Sequence, residues 1–408
     1  MKKKKKLIII WDVVFRDFDY YRLELEKISK FIDIEVHDMN RVFNKNLESI
    51  YQTNSKRKIV KRFNTFNQWK NNFKKINENN EISILLTNNG NNFTKFYFNL
   101  FLVTKKLPII TISNNTVKET TKAASINFET IFFKLLKNLN FKFLIKFFSN
   151  RLFSTLNKYF IKPDYVISNS VYDYNIQNKN KSKKTKIFKG NSFDFSNSIT
   201  YRSKKSKLSL KKNFSILIDS TGPRFKDEYA IFNNQQTHTP EKWYPSVNKF
   251  FDFLEKNFNT RIKICPHPKT KTKKYSKDFG GRENIENKLL YMVKNSKIVI
   301  SKGSTAIIYA IIFKKPVLLL YSNEMLKHKN YMRNVVNSFS SDLNLKPINI
   351  DKKYDKNLIK RRFKINKKLY KNYLKKYATA RRDYKPNYKI LIEILNIIYK
   401  GSNKKISL

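Results

Sequence analysis

Short apolar runs, each followed by a polar turn and then a stretch with helical periodicity, recur along the whole chain and set its fold class. In the first half they are Leu7 to Trp11, Ile82 to Leu86, Pro108 to Ile112 and Tyr165 to Ile167. In the second half they are Phe214 to Ile218, Arg261 to Cys265, Lys297 to Ile300 and Pro316 to Tyr321. Runs this short and this uniformly apolar suit strands covered on both faces by crossover helices, so the pattern predicts an α/β protein with parallel sheets. A chain of 408 residues exceeds what one hydrophobic core usually supports, which predicts two such domains. Val247, Phe250, Phe251, Leu254 and Phe258 recur at helical spacing, as do Leu289, Leu290 and Val293, and both segments should pack on the second sheet. The expected division is residues 1–203, a linker at 204–212 rich in Lys and Ser, a second domain at 213–368, and a basic helical segment at 369–408 that could cross back to the first domain.

Charge narrows the function classes. Lys and Arg number 85 against 31 Asp and Glu, a formal net charge of +54, which an ordinary charge-balanced enzyme does not carry. With 40% hydrophobic and 15% aromatic residues the chain is nonetheless a folded protein and not a basic disordered tail. The abundance of Lys, Asn, Ile, Phe and Tyr beside only 7 Gly is the signature of A/T-rich codons, but such drift raises Glu as readily as Lys. The acid shortage therefore calls for a surface that tolerates or uses positive charge, toward nucleic acid, an anionic membrane or an acidic substrate. Nucleic acid is disfavoured, because the lysines are spread through the chain and no RNA- or DNA-binding module is recognisable. Residues 131–160 interleave Phe, Leu and Ile with Lys and Arg and contain no acid. They suit either the surface of an anionic membrane or a helix covering the first sheet with its lysines in solvent.

Cys265 is the only cysteine, so internal disulfides and cysteine-cluster metal sites are excluded, and a reducing compartment fits. The apolar run after the first lysines is too short for a signal-peptide core, and no stretch has the length of a spanning helix. A cytoplasmic protein, peripheral on the inner face of the membrane, is the resulting expectation.

In a chain that has lost most of its glycine and proline, the survivors mark where the backbone needs special turns. Gly222, Gly280, Gly281 and Gly303, with six of the ten prolines from Pro223 to Pro316, fall in the second half. Three patterns there follow predicted strands directly, at the carboxyl ends where open α/β sheets bind ligands. The first is Asp219-Ser220-Thr221-Gly222-Pro223, with Asp227 shortly beyond. Asp219 at that point suits either a general base for a hydroxyl or an Asx-turn that closes the loop. The second is Cys265-Pro266-His267-Pro268-Lys269, where two prolines stiffen the loop that aims His267 and Lys269 adds charge. The third is Ser301-Lys302-Gly303-Ser304-Thr305, where Gly303 permits a tight turn and Ser304 caps an apolar helix from Thr305 to Phe313. The first amides of that helix, with the hydroxyls, form an anion site. Together the patterns point to a phosphate-bearing ligand.

At these residues the sequence resembles the GT-B class of glycosyltransferases, in particular bacterial enzymes of surface-polysaccharide synthesis. The order of acidic, His-Pro and Ser-Thr motifs, here Asp219, His267-Pro268 and Ser304-Thr305, is similar to that of bacterial sialyltransferases. The run from Gly303 to Leu319 is similar to the donor segment of capsule-polysaccharide and glycerol-phosphate transferases. The resemblance implies two Rossmann-like domains whose parallel sheets face a central cleft, with a nucleotide-sugar donor held by the second and a glycan or glycolipid acceptor entering from the first. It implies metal-independent, inverting transfer with no cofactor beyond the donor, a CMP-linked ulosonic acid of the sialic type being the candidate. Asp219, with Asp227 as the competing residue, would be the base. His267, Pro268, Lys269, Gly222, Ser301, Gly303, Ser304 and Thr305 would hold the donor phosphate. A glycerol-phosphate-type transferase is the alternative. Two departures stand out: Tyr309 occupies a position where many GT-B enzymes carry a ribose-binding Glu, and the acidic motif lacks a doubled acid before its glycine. Asp17-Phe18-Asp19 spells the DxD of metal-dependent transferases, but it follows the first strand and is read as fortuitous or as part of an acceptor loop with Arg16.

Overall fold

A computed structural model describes residues 3–43, 55–86, 93–113, 149, 152–153, 155–157, 160, 162–203, 213–220, 223, 237–267, 275–327 and 336–400. The described residues form two parallel sheets in two compact units. The first unit comprises residues 1–115, 121–193 and 379–408, and the second 116–120 and 194–378.

The first sheet has seven strands in the order β3-β2-β1-β4-β5-β6-β7. These are β1 (Lys4–Trp11), β2 (Asp33–Asp38), β3 (Val60–Arg62), β4 (Asn80–Leu86), β5 (Ile109–Ile112), β6 (Tyr165–Ser168) and β7 (Lys186–Lys189). The second has five, β12-β11-β10-β8-β9, formed by β8 (Phe214–Ile218), β9 (Arg261–Cys265), β10 (Val299–Ser301), β11 (Val317–Tyr321) and β12 (Ile348–Asn349). Every pairing in both sheets is parallel.

The cores follow from strand alternation. In β1, Leu7, Ile9 and Trp11 enter one buried cluster, and Ile8 and Ile10 enter another on the opposite face. In the second sheet, Ile216, Val299 and Leu319 join one cluster, while Leu217, Ile300 and Leu318 join the other. Side chains buried this way stabilise the fold by about 1.5–3 kcal/mol each relative to exposure, which is why the central strands read as unbroken apolar runs. All eight strands expected from those runs are present, with ends displaced by no more than a few residues.

Four strands are additional. β2 escapes the apolar pattern because Glu35 and His37 are part of a buried polar network: the Trp69 indole N–H donates to His37 Nδ1 at 2.9 Å, and His37 Nε2 lies 2.8 Å from Glu35 Oε1. Lys61 and Lys6 complete it, at 3.0 and 3.2 Å from the Glu35 carboxylate. β7, at a sheet edge, carries exposed lysines at both ends. β3 and β12 are too short to show a period.

The helix Pro240–Phe258 buries Trp243, Tyr244, Val247, Phe250, Phe251 and Leu254 on the second sheet. The helix Leu289–Asn295 buries Met292 and Val293. The linker expected at 204–212 lies outside the described residues, as does most of 131–160. The helix Phe193–Ser203 contributes Phe195 to the second unit's core, and its Arg202 donates to the Ile312 carbonyl at 2.8 Å, so the unit boundary falls at Phe193 rather than at residue 203. The C-terminal segment is two helices: Lys367–Tyr377 belongs to the second unit and Asn387–Ile398 to the first. Gly190, after β7, sits where an added Cβ would lie 2.4 Å from Ile167 Cγ2 and 2.9 Å from the Ser168 carbonyl, which explains a retained glycine there.

Candidate functional site

The strand order places β8 between β10 and β9, and the register pairs Ile218 with both Ser301 and Cys265. Asp219, Lys302 and Pro266 are thus the first residues beyond the carboxyl ends of three adjoining strands, with His267 one residue further. The three sequence patterns meet at one end of one sheet.

Asp219 is held by its backbone as well as its side chain. Its amide donates to the Cys265 carbonyl at 3.0 Å, and its Oδ1 accepts the Ser220 amide at 3.0 Å. The same oxygen lies 3.5 Å from Lys302 Nζ, with both side chains essentially inaccessible. Lys302 Nζ also approaches His238 Nε2 at 3.3 Å and sits over the Trp243 ring, 4.8 Å from its centroid. His238 Nδ1 is 2.8 Å from Thr237 Oγ1, and its ring meets Trp243 edge to face at 5.1 Å. The turn bearing His238 is pinned by Glu324, whose carboxylate accepts the Thr239 amide at 2.9 Å and its hydroxyl at 3.1 Å. A buried ammonium is tolerated only with such partners, because transferring an isolated charge from water costs several kcal/mol. Beside Asp219, the buried Ser220 hydroxyl has no hydrogen-bond partner among the described residues.

The third pattern folds as a turn closed by its own serines. Gly303 adopts φ +119°, a backbone region that favours glycine. The buried Ser301 hydroxyl accepts the amides of Gly303 and Ser304 at 3.2 and 3.1 Å. Ser304 Oγ accepts the Ala306 amide at 3.3 Å and caps a 3₁₀ turn, Thr305–Ile307, that leads into the helix Ile308–Ile312. Ser301 therefore serves the turn itself, while Ser304 is half-buried and Thr305 exposed. A capping hydroxyl that accepts still has its own proton to donate.

His267 is half-buried just past β9. Pro268 and Lys269, Gly222 and Asp227 lie outside the described residues. Burial pushes the Cys265 thiol up to about 12, so it is no nucleophile at neutral pH. Tyr309 is buried and its hydroxyl donates to Asp194 Oδ1 at 2.9 Å, tying its helix to the start of Phe193–Ser203.

Arg16 and Asp17 belong to the first unit, after β1. Arg16 pairs with the buried Asp19, Nε to Oδ2 at 2.9 Å and Nη2 to Oδ1 at 3.2 Å, whereas Asp17 accepts from Ser55 at 2.6 Å and Arg57 at 3.1 Å. The two carboxylates of the DxD spelling thus serve different arginines. Among the described residues, no three His, Cys, Asp or Glu side chains gather as a metal site, and no helix is long and apolar enough to cross a membrane.

Sequence reasoning did not select Lys302, His238 or Trp243. Lys302 stood inside the third pattern, and a lysine placed between a buried strand and a tight glycine turn is the signal that marks it.

No protein-family model matches the chain, and no curated protein matches it in sequence. Solved structures do. A protein from Listeria monocytogenes assigned as a UDP-N-acetylglucosamine 2-epimerase matches with a TM-score of 0.50 at 14% identity, covering 100% of this chain and 99% of its own. The glycosyltransferase of kitacinnamycin matches with a TM-score of 0.52 at 9% identity, covering 97% and 99%. Likeness at these identities shows the fold, which is of the GT-B type, shared by enzymes that transfer sugars and enzymes that isomerise them.

Proposed function

We propose that this protein is a metal-independent, inverting glycosyltransferase that moves a sugar from a nucleotide donor to a glycan or glycolipid acceptor. One observation carries the reading: β9, β8 and β10 present His267, Asp219 and the Gly303–Thr305 turn at one end of the second sheet. Asp219, as the carboxylate, takes the proton of the acceptor hydroxyl as that oxygen bonds to the anomeric carbon. The bond from that carbon to the phosphate oxygen breaks, and its electron pair leaves with the nucleotide. The developing phosphate charge is met by His267, protonated beside it, by Lys269, and by the hydroxyl protons of Ser304 and Thr305. Cationic and hydroxyl donors on the loops supply the stabilisation that a divalent ion gives elsewhere. A CMP-linked ulosonic acid is the first donor to try, on the order of the acidic, His-Pro and Ser-Thr motifs. The acid-poor composition supports work at an anionic membrane face.

Thermal-shift measurement against CMP, CDP, UDP and GDP tests the reading, because a ligand at about a hundred times its Kd stabilises by ~2.7 kcal/mol. Stabilisation by one nucleotide, reduced in His267→Ala, is the expected result. No response to any of them defeats it. The bound nucleotide then selects the donors for a transfer assay. Movement of glycerol phosphate from CDP-glycerol would indicate the related transferase chemistry, and isomerisation of the sugar without acceptor would indicate an epimerase.

A further inference from the structure

The geometry around Lys302 suits one set of protonation states. With Lys302 as an ammonium facing the Asp219 carboxylate, His238 Nε2 at 3.3 Å is its acceptor, the ring is neutral, and the remaining proton on Nδ1 faces Thr237 Oγ1 at 2.8 Å. Lys302 in turn faces Asp219 Oδ1 at 3.5 Å, with the Trp243 ring beneath it. Among the described residues, Lys302 from the end of β10 pairs with Asp219, and His238 from the turn before Pro240–Phe258 adjoins that pair through Lys302. From β9 comes the Cys265 carbonyl, which accepts the Asp219 amide, and His267 two residues on.

We propose that Lys302 is a positioning residue of the site, whose ammonium holds Asp219 as a carboxylate in one orientation, and that neutral His238 holds the ammonium there. This deepens the reading of Asp219 as the base and rests on it. A general base must be ionised before the acceptor arrives, and a carboxyl group inaccessible to water has no solvent to stabilise that charge. Lys302 supplies the stabilisation at fixed distance, and the Thr237–His238–Lys302 chain, pinned by Glu324, fixes where the ammonium sits. Lys302 touches neither acceptor nor donor in this scheme; it acts through Asp219.

The test is a pH titration of the unliganded protein carrying ¹³C-carboxyl aspartate, with the Asp219 signal identified by its loss in Asp219→Asn. In Lys302→Met the Asp219 midpoint moves to higher pH, and the acid limb of the rate profile moves with it; an unmoved midpoint overturns the inference. Should Lys302→Met fail to fold, Lys302→Met with Asp219→Asn, which removes both charges, restores folding if the pair is the reason. Failure of the double variant as well assigns Lys302 to packing on Trp243 and overturns the inference. A protein whose Asp219 midpoint moves but which no nucleotide stabilises keeps the charge relationship and refutes the transferase reading instead.

Discussion

The resemblance to GT-B transferases sets Tyr309 against a ribose-binding glutamate, and the structure gives its hydroxyl a partner within the protein. Its hydroxyl donates to the Asp194 carboxylate at 2.9 Å, with the residues 7% and 6% exposed. A hydrogen bond to a charged acceptor in such surroundings contributes about 1.5–3 kcal/mol, more than a neutral pair, because the carboxylate loses a partner that water cannot replace. Tyr309→Phe removes one oxygen and leaves the ring in the core, so cavity formation adds little to that figure. The second unit should therefore lose about 1.5–3 kcal/mol, and nucleotide affinity should stay unchanged. Urea unfolding followed by ¹⁹F signals of 5-fluorotryptophan separates the units, since Trp243 lies in the second while Trp11 and Trp69 lie in the first. Loss of nucleotide binding with unchanged stability would refute the reasoning and return Tyr309 to the donor site.

Other outcomes follow from the same kind of geometry. Burial lowers the His37 pKa below its ordinary 6.5, and the Trp69 donor occupies Nδ1, so the folded state holds a neutral imidazole. Its contribution is complete above pH 6.5 and is lost as pH falls toward the lowered value, so the first unit weakens on mild acidification. His37→Gln should flatten that loss in the Trp69 signal; an unchanged slope counts against the assignment. For Glu35, burial opposes ionisation but His37, Lys61 and Lys6 outweigh it and bring it down from 4.5 to about 2, so its contribution is complete above pH 4.5 and is lost progressively as pH falls from there to about 2. Glu35→Gln should lower first-unit stability at pH 7 and narrow the gap to wild type near pH 2; a constant gap would contradict this. Cys265 should resist thiol reagents in the native protein at pH 8 and react at the rate of unfolding, which a labelling time course measures; immediate labelling would show the thiol to be accessible.

The parts of the fold legible in the sequence are those where one local property decides the outcome. Ile8, Ile9, Ile216 and Leu217 are buried whichever sheet face they occupy, so strands β1 and β8 announce themselves. β2 hides because His37 and Glu35 are satisfied by Trp69 and by lysines distant in sequence, pairings that no local period records. The site divides the same way. Asp219, His267 and the Gly303 turn were legible because strand ends and scarce glycines are local features. The position of Lys302 carries a local signal but its partners do not, since they come from the parallel register that sets β10 beside β8 and from His238, 64 residues away in sequence. Ser301, expected from its position to help hold the donor phosphate, has a buried hydroxyl that accepts two amides and closes the turn presenting Ser304 and Thr305, a task that only the folded turn reveals.

The most direct measurement is transfer by the wild-type protein and by His267→Ala, using the donor whose nucleotide gives the largest thermal shift. Product mass and anomeric configuration are read by mass spectrometry and NMR. Wild type should release the nucleotide and form a glycoside of inverted configuration without added metal, and His267→Ala should lose that activity while keeping its ¹⁹F spectrum and unfolding midpoint. Near-wild-type transfer by His267→Ala, or a product of retained configuration, would contradict a site built on the carboxyl ends of β8, β9 and β10.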